Sequence, residues 1–490
     1  MDKFKKYQNH YLGQVVEIKF PLVKVANLVG ASLNEIVVFE RNQAGQIYSL
    51  EDHTAEVLVF DKRPVTTGSK VALTGEKSRI PVGNQLLGEL IDPLGNLLKK
   101  RRSYKRPKQF YPLEVRPLGI GKRARIKQPF VTGVSMVDLL VPLGKGQREL
   151  ILGDRKTGKS SFLISIVKGQ LILEKNPPVV IYACIGKRKS EIKALEEYFS
   201  KEGLMEKMVM VATSSLDSPS LIYLTPFSAM AVAEYFRDLG KDVLVIMDDL
   251  STHAKFYREI SLLARRFPGR DSYPGDIFYT HARLLERAGN FKVGSREVSI
   301  TCLPVAETME GDLTGYITTN LMGVTDGHIF FDSNVFYKGR RPAINVPLSV
   351  TRVGKQTQNK LEQSISGAIY EFLNKYETAI NLSHFGAELS DETRKNLILG
   401  EKLAQFFDQP YSLSLREELQ ILLLSLIWLG LVGDDPVFPV SICKINLIKN
   451  FEKPHIKTLI LSVISADDFD SLLDNIAKKK EELIILCQQS

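Results

Sequence analysis

The pattern of hydrophobic positions divides the chain into three regions. From residue 10 to about 80, short β-branched runs alternate with turn signals, which is typical of a small β-barrel. From about 125 to 355, apolar strand-like runs alternate with helical patterns, as in a mostly parallel sheet that is buried on both faces. Beyond 355 the apolar positions recur at helical spacing. The pattern predicts a β-barrel at 1–80, an α/β domain at 81–355 with a connector at 81–125, and an α-helical domain at 356–490.

Individual elements follow from short runs of sequence. The predicted barrel strands lie at 13–20, 35–40, 55–60 and 69–74. The predicted strands of the central region lie at 149–152, 179–183, 207–212, 242–247 and 298–303. Helices are predicted from Leu361, Asp391, Leu413 and Asp467. The strongest apolar run, 419–432, is shorter than a bilayer span and predicts a buried helix.

Composition places the chain among ordinary globular proteins. Hydrophobic residues make up 44% and charged residues 25% of the 490 positions, and the net charge of +9 does not by itself indicate nucleic-acid binding. No uninterrupted apolar segment follows the basic N-terminus, so no signal peptide is predicted. The cysteines lack metal-ligand spacing and are expected to be free thiols in a reducing compartment. They are Cys184, Cys302, Cys443 and Cys487.

Residues 153–160 carry the clearest chemical signal. They read GDRKTGKS and fit the P-loop pattern between a predicted strand and an apolar helix. A glycine-rich turn at a helix N-terminus presents backbone N–H groups to phosphate oxygens, while Lys159 is expected to reach the outer phosphates and Ser160 the Mg²⁺. The predicted nucleotide-binding residues here are Gly153, Asp154, Arg155, Lys156, Thr157, Gly158, Lys159, Ser160 and Ser161.

Two further features concern charge. Asp248 ends a predicted strand, where a Walker-B carboxylate would hold the water shell of Mg²⁺ opposite Ser160. Between 99 and 108, seven of ten residues are basic. This basic run would suit an acidic partner or lipid headgroups, although a solvated loop is the default expectation.

The order of barrel, P-loop domain and helical domain resembles a subunit of the rotary ATPase hexamers. Local strings are similar to the alpha subunit of F-type ATP synthase, densely from about 117 to 355 and more thinly elsewhere. They are GKGQREL at 144–150, GDR at 153–155, DDLS at 248–251, LLARRFPGR at 262–270, YPGD at 273–276, HARLLER at 281–287, LPVAET at 303–308, GRRPAIN at 339–345 and SVTRVG at 349–354.

The resemblance implies a division of labour within a hexamer. Alpha subunits bind ATP or ADP with Mg²⁺ at non-catalytic sites, and beta subunits supply the general-base glutamate. Lys187 stands at that glutamate's position and cannot act as a carboxylate base, so this chain should not hydrolyse ATP at its own site. Arg352 matches the arginine that alpha contributes in trans to the neighbouring beta site. Arg341 and Pro342 are expected near the adenine or ribose.

The resemblance also implies partners and a location. The expected partners are a beta-type catalytic subunit, the central rotor shaft and, through the ion-translocating sector, the membrane, with no nucleic acid. The expected location is peripheral, on the cytoplasmic face of a bacterial plasma membrane. The acidic turn at 388–392 would face the shaft, although a solvated turn would read the same.

Several positions depart from the usual alpha pattern. Lys156 and Lys187 replace glutamines, and these ammonium groups could replace part of the metal's charge or repel Mg²⁺. Asp408 replaces a glutamine at the expected adenine edge, and Gly323 replaces a serine. The barrel begins almost at the first residue, which implies altered stator attachment.

Three other hypotheses stay open on the sequence. The first is an F-type-derived hexamer that drives a machine other than ion transport. The second is a Rho-like RNA translocase, although the barrel lacks the aromatic cluster that would stack bases, and RNA-stimulated ATPase activity would support it. The third is a self-sufficient homohexameric ATPase, which needs a carboxylate at Lys187 and measurable turnover by the isolated chain.

Overall fold

A computed structural model describes residues 3–7, 12–99, 104–384, 390–433 and 439–488. The chain forms two compact units, each assembled from separate stretches of sequence. The first unit comprises Met1–Arg125, Pro178–Thr308 and Asp312–Thr325, and the second comprises Ile126–Pro177, Met309–Gly311 and Asp326–Ser490. The predicted domain boundaries at 80/81 and 355/356 remain predictions.

The strands are numbered in chain order. They are β1 (Leu12–Lys19), β2 (Leu22–Ala26), β3 (Glu35–Phe39), β4 (Ala44–Leu50), β5 (Thr54–Val59), β6 (Lys70–Lys77), β7 (Arg79–Val82), β8 (Glu89–Ile91), β9 (Gln109–Pro112), β10 (Glu149–Gly153), β11 (Val179–Lys187), β12 (Met208–Ser214), β13 (Val243–Asp248), β14 (Gly289–Val293), β15 (Arg296–Glu307), β16 (Gly327–Phe331) and β17 (Val350–Thr351).

The α-helices are numbered in the same way. They are α1 (Lys3–Tyr7), α2 (Ser135–Leu140), α3 (Lys159–Ile172), α4 (Lys189–Lys201), α5 (Pro219–Asp238), α6 (Leu250–Leu263), α7 (Ile277–Leu285), α8 (Tyr316–Val324), α9 (Ser333–Tyr337), α10 (Lys360–His384), α11 (Asp391–Phe407), α12 (Glu417–Trp428), α13 (Val440–Phe451), α14 (Pro454–Ile464), α15 (Phe469–Lys478) and α16 (Lys480–Gln488).

The first unit begins with a closed six-stranded barrel in the order β1-β2-β5-β4-β3-β6. Its neighbouring strands are antiparallel, and valines such as Val23, Val37 and Val57 fill the interior. The sequence pattern missed β2 and β4. Position 45 of β4 requires glycine because the neighbouring strand β5 lies close to it. A Cβ at Gly45 would lie 2.6 Å from Val57 Cγ1. A glycine and flanking polar residues hide such a strand from a hydrophobicity pattern.

Five further strands of the first unit form a parallel sheet in the order β15-β13-β11-β12-β8, and β14 pairs antiparallel with β15. The strands β7 and β9 form a separate two-stranded antiparallel sheet. The interior strands are buried on both faces, as the continuous apolar runs predict. Carboxyl ends of parallel strands lie at one edge, and β11 and β13 are neighbours. Lys187 at the end of β11 and Asp248 at the end of β13 are therefore brought together.

In the second unit, β10 pairs parallel with β16, and β17 pairs antiparallel with β16. The helices α10 to α16 make up most of the rest. Residues 419–427 of α12 are all buried, which confirms the predicted buried helix. Across the described part of the chain, the helices are too short or too polar to cross a membrane.

Two of the four cysteines are in a different redox state from the one predicted. Cys184 and Cys302 are buried free thiols, as predicted. Cys443 on α13 and Cys487 on α16 form a disulfide, so the prediction of four free thiols is wrong for these two. They are 44 residues apart, and the packing of α13 against α16 brings their Cα atoms to 4.4 Å. Sequence spacing carries no sign of that packing.

A carboxyl pair in the second unit predicts pH-dependent stability. Glu417 at the start of α12 is hydrogen-bonded to Glu362 of α10. Burial, together with this neighbouring carboxyl, raises the pKa of Glu417 from 4.5 to about 9. A carboxyl with a raised folded-state pKa stabilises the fold below pH 4.5, and that contribution is lost as the pH rises toward 9.

We therefore expect Glu417→Gln to unfold with nearly the wild-type free energy at pH 4.5 and to be about 1–3 kcal/mol more stable than wild type at pH 9. Urea unfolding at a series of pH values measures this. Glu401→Gln, at an exposed position on α11, should follow the wild-type curve throughout. A constant difference between Glu417→Gln and wild type across the pH range would contradict the prediction.

Candidate nucleotide site

The P-loop turn is shaped by two glycines. Gly153 ends β10 with φ +150°, and a Cβ there would lie 2.5 Å from the Phe331 carbonyl oxygen on β16. Gly158 has φ +95° immediately before α3. Both positions need glycine for conformation, and the first also needs it for space. The N-terminal turn of α3 begins where the sequence predicted a phosphate site.

Side chains of the turn hold its backbone from within. Lys159 Nζ donates to the carbonyl oxygens of Gly153 and Asp154, each at 2.6 Å, and Thr157 Oγ1 donates to the Asp154 carbonyl at 2.8 Å. The Asp154 carboxylate accepts from Gly311 N at 3.0 Å and from Ser333 Oγ at 2.9 Å. The loop is thus ordered by its own hydrogen bonds, while Arg155, Lys156, Ser160 and Ser161 are exposed on it.

An aromatic and a guanidinium lie beside the loop in the second unit. The Phe336 ring lies within 4 Å of the position that a Gly158 Cβ would take. The Arg341 guanidinium stacks 3.6 Å from the centroid of that ring and donates to the Phe336 carbonyl. The structure therefore places Arg341 beside Phe336 and the P-loop, while the base or ribose contact predicted for Arg341 and Pro342 stays a prediction.

The segment that follows α11 forms the adjoining edge. Asp408 Oδ1 accepts from Arg341 N at 2.9 Å, and Gln409 N donates to the Arg341 carbonyl at 2.7 Å. The Gln409 side chain is buried, where its amide donates to the carbonyls of Gly133 and Leu413 and its oxygen accepts from Ser135 N. Gln409 is thus fully committed to holding the backbone of this edge.

In the first unit, the Walker-B position has unexpected partners. Asp248 is 3% exposed, its Oδ1 is 2.7 Å from Lys187 Nζ, and its Oδ2 accepts from Tyr182 OH at 3.0 Å. Burial alone would lower the pKa of Lys187, but the carboxylates of Asp248 and Asp249 outweigh it and raise that pKa. Asp249 also caps α6 by accepting from Thr252 N. Lys187 is therefore a cation held against two carboxylates.

These contacts bear on the metal role predicted for Asp248, which stays a prediction. A water shell around Mg²⁺ requires carboxylate oxygens that can accept from the bound waters. Both oxygens of Asp248 are engaged by an ammonium and a phenol hydroxyl. Burial raises the pKa of Tyr182 well above its usual range, so that hydroxyl keeps the proton it donates. Each carboxylate oxygen has two lone pairs, so both Asp248 oxygens keep the capacity to accept from a further donor.

Arg352 follows β17 in the second unit and is exposed. Its backbone N–H donates to the Asp326 carbonyl at 3.1 Å. Arg148 donates two hydrogen bonds to the Asp326 carboxylate, from Nε to Oδ2 at 3.0 Å and from Nη2 to Oδ1 at 2.7 Å. A bidentate pair of this kind fixes backbone orientation, so the segment that carries Arg352 is anchored while its guanidinium faces outward.

Sequence reasoning missed three residues that contact predicted site residues within their own unit. Ser333 and Phe336 lie on the short helix α9, which has no periodic signal, and Tyr182 lies within a run that reads as buried strand. A tyrosine hydroxyl in an otherwise apolar strand was the one available hint, because a buried hydroxyl needs a partner. The basic run at 99–108 and the acidic turn at 388–392 fall partly outside the described residues, at 100–103 and 385–389.

Two protein-family models match consecutive parts of the chain. The family model described as "ATP synthase alpha/beta family, nucleotide-binding domain" matches residues 133–351. The model described as "ATP synthase alpha/beta chain, C terminal domain" matches residues 358–480. With the closed N-terminal barrel, these matches confirm the predicted fold class of barrel, parallel α/β nucleotide-binding domain and helical domain.

Relatives named "ATP synthase subunit alpha" are similar over nearly the full length. The Ehrlichia chaffeensis protein is 37% identical over 477 residues, which cover 95% of this chain and 93% of the relative. The Neorickettsia sennetsu protein is 38% identical over 450 residues, covering 91% and 88%. The Clostridium acetobutylicum protein is 35% identical over 482 residues, covering 97% and 94%. These relatives confirm the resemblance inferred from local strings.

Proposed function

Because this chain belongs to the family of ATP synthase alpha subunits, we propose that it is the non-catalytic nucleotide-binding subunit of an F-type hexamer. It alternates there with a beta-type catalytic subunit. The observation that carries the non-catalytic assignment is the ion pair of Lys187 with Asp248. ATP hydrolysis needs a group that orients and deprotonates water near the γ-phosphate, and an ammonium already bound to a carboxylate cannot accept that proton.

The nucleotide-binding role is supported by the P-loop region of the second unit. The residues proposed to bind ATP or ADP are 153–161, with Arg341 and Pro342 at the base or ribose. Helix α3 supplies backbone N–H groups for the phosphates, and Lys159 supplies a charge that can turn from the Gly153 and Asp154 carbonyls to a phosphate oxygen. The Phe336 and Arg341 stack offers a flat, partly cationic surface beside the loop.

The catalytic contribution is proposed to be made in trans. Arg352 is exposed, and its backbone is anchored through Asp326 and Arg148. An outward guanidinium on a fixed segment suits an arginine finger, which must reach a neighbour's active site in a defined direction. Coupling of ATP synthesis or hydrolysis to proton transport then follows through the rotor shaft and the ion-translocating sector, at the cytoplasmic face of a bacterial membrane.

The purified full chain tests the nucleotide site directly. We expect it to bind radiolabelled ATP in equilibrium dialysis and to release no phosphate above background. Lys159→Ala should weaken binding by at least about tenfold, because it removes a charge-assisted contact to phosphate. Lys175→Ala, which removes an exposed lysine just beyond α3, should bind like wild type. Phosphate release by wild type that disappears in Lys159→Ala would contradict the non-catalytic assignment.

A further inference from the structure

The carboxyl group of Glu149 is buried with one of its oxygens unpaired. Glu149 is the first residue of β10 and is 0% exposed. Its Oε2 accepts from Gln147 Nε2 at 2.6 Å. Its Oε1 has no hydrogen-bond partner within the described part of the chain. A buried charge with an unpaired oxygen is unfavourable, so this carboxyl requires a further partner, the loss of its charge, or both.

Strand pairing in the second unit places this carboxyl against β17. Glu149 is paired with Gly327 of β16, and Gly327 is paired with Thr351 of β17, so the three residues share one face of the sheet. Because Gly327 has no side chain, the Glu149 carboxyl can lie over it. A Cβ at Gly327 would lie 2.8 Å from Glu149 Oε1 and 2.2 Å from the Val350 carbonyl oxygen. The unpaired oxygen and this carbonyl therefore converge on one point.

We infer that Glu149 is a positioning residue for Arg352, because its uncharged carboxylic acid donates a hydrogen bond from Oε1 to the Val350 carbonyl and so holds β17. Arg352 is the residue immediately after β17. The inference rests on the proposed function of Arg352 as an arginine finger and adds a second residue on which that function depends. Glu149 is buried within its own unit and acts only through the backbone of β17.

The surroundings of Glu149 favour the uncharged acid. Burial raises the pKa of Glu149 well above its usual value. The hydrogen bond from Gln147 and the positive charge of Arg352 oppose this rise in pKa, while the negative charge of Asp326 adds to it. A carboxylate next to the Val350 carbonyl would bring two acceptors together, whereas the protonated acid supplies the donor that the pair lacks.

A second set of contacts links Glu149 to the turn that contains Arg352. Gln147 Nε2, which donates to Glu149, also donates to Thr351 Oγ1 at 3.4 Å. Thr351 Oγ1 in turn accepts from Gly354 N at 3.2 Å, which closes the turn around Arg352. The backbone from which the guanidinium projects is thus held from the face on which Glu149 lies. A displacement of about 1 Å in such a group can cost about a hundredfold in rate.

Steady-state ATP hydrolysis by the complex with the beta-type partner tests this role. Glu149→Leu fills similar space without a donor, and we expect kcat to fall at least about tenfold while KM stays within about twofold of wild type. Glu149→Gln can donate its amide N–H to the Val350 carbonyl and should recover most of that loss. Glu401→Leu, at an exposed position of α11, should hydrolyse ATP like wild type.

The Arg352→Ala background separates positioning from a general structural effect. Without the guanidinium there is nothing left to position, so adding Glu149→Leu should lower kcat by less than about twofold further. An equal loss in both backgrounds overturns the inference, and so does a wild-type kcat for Glu149→Leu; a large loss from Arg352→Ala then leaves the finger standing. If Arg352→Ala hydrolyses ATP at the wild-type rate, the finger and this inference fail together.

Infrared difference spectroscopy of the purified full chain at neutral pH tests the charge state without the leucine variant. Wild type should show the carbonyl stretch of a protonated carboxylic acid that Glu149→Gln lacks. Glu401→Gln should retain that band. If Glu149→Gln loses a carboxylate band instead, Glu149 is charged, and the inference is overturned whether or not Glu149→Leu assembles.

Discussion

Replacing Arg352 by alanine is expected to lower steady-state ATP hydrolysis by the complex with the beta-type partner about a thousandfold, while assembly is retained. Arg352 is exposed, so its truncation leaves no cavity in the core. The backbone that presents it is fixed by the bond from Arg352 N to the Asp326 carbonyl, which the substitution preserves. The loss should therefore fall on stabilisation of the transferring phosphoryl group in the neighbouring site.

The thousandfold loss corresponds to about 4 kcal/mol of transition-state stabilisation, which is within the range for arginine fingers. It should appear in the turnover number rather than in the Michaelis constant, because the charge contact strengthens only as the phosphoryl group transfers. Arg352→Lys should recover little, since a single ammonium lacks the planar fork that spans two oxygens.

A matched substitution guards against a general effect of losing an arginine. Arg63 is an exposed arginine on the barrel unit, paired with Asp61. Arg63→Ala should leave hydrolysis within about twofold of wild type, since exposed ion pairs contribute little. If Arg352→Ala assembles normally and hydrolyses ATP at the wild-type rate, the assignment of Arg352 as the finger is wrong.

Arg287→Ala is expected to destabilise the chain by about 3–5 kcal/mol. The Arg287 side chain is 1% exposed, and its Nε and Nη2 reach the two oxygens of Glu234 on α5 at 3.0 and 2.6 Å. Its Nη1 also donates to the Leu113 carbonyl at 2.7 Å. Truncation therefore leaves a buried carboxylate and a buried carbonyl without this donor, in addition to a cavity.

Urea unfolding of the purified chain measures this effect as a shift in the midpoint at constant slope. Arg296→Ala, at an exposed position of β15, should change the free energy of unfolding by less than about 0.5 kcal/mol. The double variant Arg287→Met with Glu234→Leu removes both charges of the bidentate pair and should be more stable than Arg287→Ala. In Arg287→Ala the buried Glu234 keeps only the 3.8 Å contact with Arg237, whereas in the double variant Arg237 keeps its contact with Asp238. A double variant less stable than the single one would show that packing, and not charge, dominates.

The sequence predicted the parts of this protein that depend on local pattern. Continuous apolar runs identified β11 and β13, and the glycine spacing of 153–158 identified the P-loop, because both signals lie within a few neighbouring residues. The strands β2 and β4 were missed because pairing with neighbours in a closed barrel stabilises them despite their short or polar sequences.

The partners of individual side chains could not be predicted in the same way. Asp248 was expected to face a metal, yet the parallel pairing of β11 with β13 places Lys187 and Tyr182 beside it. The metal role was expected from the residue type at position 248 alone. The contacts of Asp248 depend on two residues that lie more than sixty positions earlier in the chain. The disulfide between Cys443 and Cys487 could not be predicted for the same reason, because only the packing of their helices brings the two residues together.

The buried amide of Gln409 also bears on how a ligand would be received. Its hydrogen bonds to Gly133, Ser135 and Leu413 fix the segment beside Arg341 within the fold itself. Lys444 fixes the same segment from the other side, by donating to the carbonyls of Gln405 and Asp408. The conformational entropy of this edge is therefore lost when the protein folds, and a nucleotide bound at the proposed site would meet a preorganised surface that it does not have to order.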